Sequence, residues 1–154
     1  MNNKQIADVF ATMADILAIQ GESPHRILAY RRGAETVSLL GRSLKEVWQE
    51  GELEALPGIG KILAAKIDEL MRTGRLEALE KLQTQVPGGV VEMLQVPGVG
   101  PKRAAAFWKD LGIESIEALE EAAREGRLRT LPGVGAGTEE QILAGIAALR
   151  ERHA

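Results

Sequence analysis

One five-residue pattern occurs three times in this chain of 154 residues: LPGIG at Leu56–Gly60, VPGVG at Val96–Gly100 and LPGVG at Leu131–Gly135. The copies are offset by 40 and 35 residues, and the first and third share the wider frame E-G-x-L-x-x-L-P-G-h-G, where h is apolar. A proline followed by two glycines interrupts any regular element, so each copy must be a tight connection. After the first loop Ile59, Leu63, Ile67 and Leu70 fall at spacings of three and four, the period of an amphipathic helix. A short helical stretch also precedes each copy. The repeated unit is therefore predicted to be helix, short loop, helix.

Composition supports an all-α fold. Aromatics make up 3% of the chain (Phe10, Tyr30, Trp48, Phe107 and Trp108), so the core must be built from Leu, Ile, Val and Ala. There is no cysteine, which excludes a disulfide scaffold, a thiolate metal site and a cysteine nucleophile. No apolar run reaches the roughly 18 residues of a membrane span, and MNNKQIADVF does not read as a signal peptide, so a soluble cytoplasmic protein without membrane contact is expected.

Upstream of the first hairpin the pattern predicts helices at Asn3–Ile19 and Pro24–Leu40, with Ser23 as N-cap of the second. Ser43 and Glu46 predict a capping box for a short helix ending near Gly51. A further helix is expected over Leu76–Thr84. Val86-Pro87-Gly88-Gly89 reads as the domain boundary, and Gly89–Met93 as a short helix or strand. Ser115 opens a connecting helix that ends at Gly126. The expected organisation is a helical bundle over residues 1–86 with hairpin 1 at about 52–71. A tandem hairpin domain follows over 87–154, with hairpin 2 at about 90–109 and hairpin 3 at about 127–149.

The formal net charge is -3, and neither half is basic: residues 1–86 carry 11 Lys/Arg against 12 Asp/Glu, and residues 87–154 carry 8 against 10. A basic face is the usual footprint of phosphate binding, so any such binding here must come from local geometry. The repeated loop supplies it. Gly58 and Gly60, Gly98 and Gly100, and Gly133 and Gly135 leave peptide N–H groups uncovered just where a helix starts, and the helix dipole adds positive potential there. Such contacts hold a backbone and carry no base information. Lys61 follows the first loop, and Lys102 with Arg103 follows the second. The third has only Thr138, so it is expected to bind weakly or to serve structurally. Ala64 and Ala104, four residues past the second glycine, are small enough for close helix approach, and Glu139 takes that place in the third copy. The plain alternative is that each loop is merely a left-handed connection with an apolar plug. A P-loop and a dinucleotide fingerprint both fit worse, lacking respectively the spacer with Ser/Thr and the third glycine with its preceding strand.

LPGIGKILAAKIDEL (Leu56–Leu70) and VPGVGPKRAAAFW (Val96–Trp108) resemble helix-hairpin-helix motifs of DNA repair proteins. The run His25-Arg26-Ile27-Leu28-Ala29-Tyr30-Arg31-Arg32, followed by those two motifs, resembles the amino-terminal region of X-family DNA polymerases, chiefly the bacterial ones. The resemblance covers nearly the whole chain. It implies non-sequence-specific DNA binding in repair, on gapped or nicked duplex, by a nucleoid-associated monomer. The family's catalytic palm needs paired aspartates on a strand. The chain has only Asp8, Asp15, Asp68 and Asp110, no two of them two residues apart, so polymerase activity is not expected from it.

The resemblance also implies a 5'-phosphate site at His25, Arg26, Tyr30 and Arg31. It implies a deoxyribose phosphate lyase in which Lys66 forms a Schiff base. Ile62 stands where relatives carry a second pocket lysine, and Glu54 where they are often basic. It further implies a Na+ or K+ ion on the carbonyls of Glu54, Leu56 and Ile59, and of Leu94, Val96 and Val99. For Lys66 the other reading is a solvated lysine partnered with Glu69, and for Tyr30 a core aromatic. A protein-docking module that does not bind DNA is the remaining alternative.

Overall fold

The computed structural model describes all residues, 1–154. Nine α-helices and three single 3₁₀ turns make up the chain, with no strand. The backbone divides into two compact units: Met1–Ala18 with Glu22–Gln85, and Val86–Ala154, with which Ile19–Gly21 group.

In the first unit α1 (Asn3–Ile19) buries Ile6, Phe10, Met13 and Leu17. Helix α2 (Pro24–Leu39) starts at a proline, as the sequence predicts. The Ser23 side chain does not cap it, however, and only the Ser23 carbonyl does, accepting the amides of Arg26 and Ile27. Helix α3 (Leu44–Gln49) corrects a second expectation. Ser43 and Glu46 form no capping box; the Leu44 amide donates instead to Asn3 Oδ1 at 2.8 Å, while Asn3 Nδ2 donates to the Arg42 carbonyl. A cap brought from 41 residues away leaves no local signature. A 3₁₀ turn at Leu53–Ala55 leads into the first repeated loop and α4 (Lys61–Thr73), which ends at left-handed Gly74. Helix α5 (Glu77–Gln83) closes the unit.

Helix α4 shows why the hairpin holds. Leu63, Ile67 and Leu70 are buried, and each fully buried aliphatic side chain contributes about 1.5–3 kcal/mol. Gly33 of α2 makes room for Leu63 and for Ile59 of the loop: a Cβ there would lie 2.7 Å from Leu63 Cδ1 and 3.7 Å from Ile59 Cδ1.

The second unit opens with α6 (Gly88–Glu92), so the ambiguous Gly89–Met93 segment is helical. Gly89 is required by packing, since an added Cβ would sit 1.9 Å from the Glu114 carbonyl oxygen. The 3₁₀ turn Met93–Gln95, the second loop and α7 (Pro101–Leu111) form hairpin 2. Helix α8 (Ile116–Arg124) has its predicted cap, with Ser115 Oγ accepting the Ala118 amide at 3.0 Å. The 3₁₀ turn Leu128–Thr130 then leads through the third loop to α9 (Ala136–Arg152). Helices α8 and α9 pack together, and Arg150 reaches Glu120 at 2.8 Å. Gly145 of α9 touches hairpin 2: its Cβ position lies 2.8 Å from the Pro97 carbonyl oxygen and 3.2 Å from Val96 Cγ1.

Candidate nucleic-acid interface

The three loops share one backbone design. The first glycine is left-handed in each, with φ +74° at Gly58, +94° at Gly98 and +79° at Gly133, a region that L side chains enter only with strain. This bend lets the apolar residue fold inward, where Ile59 and Val99 are buried and Val134 is half-buried. Its amide closes the turn on the carbonyl three residues back: Ile59 on Leu56 (3.1 Å), Val99 on Val96 (3.0 Å) and Val134 on Leu131 (3.2 Å).

One amide of loop 1 and one of loop 2 are thus engaged by the protein. The others are not: those of Gly58, Gly60, Lys61, Ile62 and Leu63 have no protein acceptor, nor have those of Gly98, Gly100, Lys102 and Arg103.

The second glycine is a different case. Gly60 (φ -92°, ψ -169°) and Gly100 (φ -94°, ψ 179°) are extended helix N-caps that any residue could occupy, and neither has a side-chain cap. A Cβ at either, or at Gly135, would meet nothing within 4 Å. Neither backbone conformation nor internal packing demands glycine there. The space outside these nitrogens is open.

Around loop 1 the structure adds residues that the sequence does not single out. Thr36 Oγ1 donates to the Pro57 carbonyl at 2.7 Å, tying α2 to the loop, and Arg32 Cβ lies 3.6 Å from the Cβ position of Gly58. Arg32 is exposed with no ion-pair partner and its Cβ lies beside Gly58, and exposed Lys61 is the first residue of α4, so both cations are available to a ligand at the free amides. Both contacts cross 20 or more residues, and only the Thr and Arg at one helical face of α2 could have hinted at them.

In loop 2 Lys102 is exposed and unpaired, whereas Arg103 folds back and donates to the Gly98 carbonyl at 2.9 Å. The sequence treats the two as equal phosphate contacts; the structure makes Arg103 a brace of the loop. Lys102, Arg103 and Phe107 share an open groove of about 390 Å³ with Leu131, Pro132 and Gly133 of loop 3.

Loop 3 is partly self-satisfied. The Gly135 amide donates to Thr138 Oγ1 at a long 3.5 Å, and glycine has no side chain to reciprocate. Glu139, 2% exposed, accepts the Arg129 amide at 3.1 Å and Arg129 Nε at 2.9 Å. These hydrogen bonds from Arg129 hold its carboxyl below the ordinary carboxylate range against the opposing effect of burial. At the equivalent position Ala104 is fully buried, as close helix approach requires, but Ala64 is only half-buried and leaves a cleft beside it.

The implied 5'-phosphate residues lie together on the first turns of α2. His25 is exposed and unpaired, Arg26 lies 3.8 Å from Glu22, and Arg31 is paired with Asp15 at 2.8 Å. Tyr30 is a core residue, 4% exposed, with its ring 6.0 Å from that of Phe10. Burial pushes its hydroxyl up from 10.0, with Arg26 opposing. No buried side-chain polar atom lacks a partner and this hydroxyl has none in the protein, so its oxygen reaches solvent. Lys66 is half-buried and unpaired; the expected Glu69 partnership does not form, because Glu69 Oε2 accepts the Glu77 amide at 2.7 Å.

Residues 1–76 match the family described as "Helix-hairpin-helix domain", and residues 90–148 match "SAM-like Helix-hairpin-helix tandem". The chain is 35% identical over 143 residues to the DNA polymerase/3'-5' exonuclease PolX of Bacillus subtilis, covering 93% of this chain and 25% of that protein. The chain corresponds to the amino-terminal region of the X-family DNA polymerases. DNA polymerase lambda of Arabidopsis thaliana is 29% identical over 119 residues, 77% of this chain and 22% of its own length. The rat enzyme of the same name is 29% identical over 118 residues, 76% and 19% respectively. The chain therefore spans a quarter or less of the length of these X-family relatives. No helix is long and apolar enough to cross a membrane.

Proposed function

We propose that this X-family region binds the sugar-phosphate backbone of DNA without reading sequence, in repair, as a monomer that favours gapped or nicked duplex. One observation carries the reading: at Gly60 and Gly100 helix-start amides lack a protein acceptor and face space that a Cβ would enter without contact. Phosphate oxygens satisfy such amides with no net positive charge on the protein, which reconciles the charge of -3 with an anionic ligand. Lys61, Arg32 and Lys102 add charge at loops 1 and 2, and α9, the helix that follows loop 3, supports loop 2 through the Gly145 contact.

The residues also suit a monovalent cation. The Leu56 and Val96 carbonyls each accept one amide and keep a second lone pair, and an all-oxygen donor set suits Na+ or K+. Glu54 and Ile59, and Leu94 and Val99, would complete the two sets. Such an ion would add positive charge beside a bound phosphate.

Fluorescence anisotropy on gapped, nicked and intact duplex at two salt concentrations tests the proposal. Binding to all three is expected, tightest to the gap and weaker at high salt. No salt-dependent binding would leave the docking-module reading in its place. A second reading, lyase chemistry, is favoured by the free Lys66 amine. Borohydride should then trap an adduct on an incised abasic site, lost in Lys66→Ala, and absence of any adduct removes that reading.

A further inference from the structure

A cleft of about 440 Å³ in the first unit opens where Ala64 fails to close the hairpin. It is walled by α3 and the 3₁₀ turn on one side (Trp48, Gln49, Glu54) and by α4 on the other (Ala64, Asp68, Arg72). This volume lies within the range of small-molecule sites. Ala64 lies four residues beyond Gly60, about 6 Å along the helix at 1.5 Å per residue, so the cleft begins about one helical turn from the free amides of loop 1.

Its contents are fixed before any ligand arrives. Trp48 Nε1 donates to Asp68 Oδ1 at 2.8 Å, and Arg72 Nε donates to both Asp68 oxygens at 3.0 Å. The Arg72 guanidinium carbon lies 5.8 Å from the indole centroid, so two flat π surfaces are locked in one arrangement by a shared carboxylate. The bonds from Trp48 and Arg72 hold the Asp68 carboxyl below its ordinary value, and its charge is met by the guanidinium. The Glu54 carboxylate and the Gln49 amide are exposed and have no partner in the protein, leaving acceptors and donors at the rim.

We propose that this cleft is a binding site for one unpaired nucleobase of the strand held at loop 1, stacked on the Trp48–Arg72 pair and hydrogen-bonded along its edge by Glu54 and Gln49. The inference rests on the DNA-backbone reading above. Every base has a π face, so stacking on an aromatic and a guanidinium is indifferent to sequence, consistent with backbone binding at the loop. A free carboxylate beside the stack selects for the N–H groups of a base edge and against a second phosphate. An unpaired base is required, because a paired one is stacked inside the duplex and presents no free face.

The test uses the whole chain carrying Trp108→Phe, so that Trp48 is the sole indole reporter. It is titrated with two gapped duplexes that differ only in the gap, unpaired thymidines in one and tetrahydrofuran abasic spacers in the other. The thymidine gap should quench Trp48 emission and bind about tenfold tighter than the abasic gap, the scale of one stacked base. Trp48→Ala should bring the two affinities together, while Trp48→Phe, which keeps a stacking ring but loses the bond to Asp68, should keep most of the difference. Glu54→Ala, on an exposed carboxylate, should narrow the difference without changing helicity. Equal affinity and equal quenching for the two gaps overturns the cleft assignment and leaves backbone binding standing. Absence of binding to either overturns the backbone reading itself.

Discussion

Replacing both second glycines by aspartate, Gly60→Asp with Gly100→Asp, separates the fold's needs from the ligand's, because the two respond with opposite sign. The φ/ψ values at these positions are those of an N-cap, and a Cβ meets nothing. Aspartate caps better than glycine by a few tenths of a kcal/mol. A carboxylate at the positive end of the helix adds about 0.3–1 kcal/mol, and removing glycine from the unfolded chain adds about 0.4–1 kcal/mol. Each substitution should therefore stabilise its unit by about 1 kcal/mol, and Tm by CD should rise by about 4–8 °C. DNA binding should move the other way. The new carboxylate occupies the amides that a phosphate would use and repels the phosphate as well. Loss of even one charge-assisted bond per loop, about 1.5–3 kcal/mol, weakens binding tenfold or more. Anisotropy with a gapped duplex reads the second effect. A variant that is more stable and binds as well as the parent would refute the assignment of these amides. A variant with lower Tm would show that the fold itself needs glycine there.

Gly58→Ala should behave differently, lowering Tm of the first unit through about 1 kcal/mol or more of left-handed strain at φ +74°. Lys102→Glu should reduce the salt slope of duplex binding by about 0.9, one phosphate contact, whereas Arg103→Ala should act by loosening the loop it braces at Gly98. Gly145→Ala should cost about 1–3 kcal/mol by overpacking against Pro97 and Val96, read as a lower denaturant midpoint. The Glu139 carboxyl is held below its ordinary value of 4.5, so its contribution is present above that pH and lost as pH falls through its lowered folded value. Glu139→Gln should therefore lower stability at neutral pH and flatten the acid limb of the unfolding profile.

What the sequence discloses here follows the range over which each interaction acts. Helix positions are legible because Leu63, Ile67 and Leu70 set a period within one element, and the loops because a left-handed turn calls for Gly58, Gly98 and Gly133. Ser115 caps α8 as expected, since its partner is three residues away. The Ser43 side chain does not cap α3, since the Glu46 amide turns to the Ser43 carbonyl and the Leu44 amide is taken by Asn3 from another helix, and no local rule carries such information. Arg103 and Lys102 are indistinguishable in sequence and separate only when one guanidinium finds the Gly98 carbonyl. The Trp48–Asp68–Arg72 cluster is half legible: Asp68 and Arg72 are four apart on one helix, but Trp48 comes from 20 residues upstream.

The seat of Pro97 on Gly145 gives the divergent third copy a task of its own. A duplicated element released from ligand contact is free to lose its basic side chain, yet one atom too many on its long helix would push the neighbouring loop out of position. Shortening the chain at its carboxyl end to isolate a minimal binding fragment should therefore keep α9 through Gly145. A fragment cut before that glycine would retain every residue of loop 2 and lose the surface against which its proline rests.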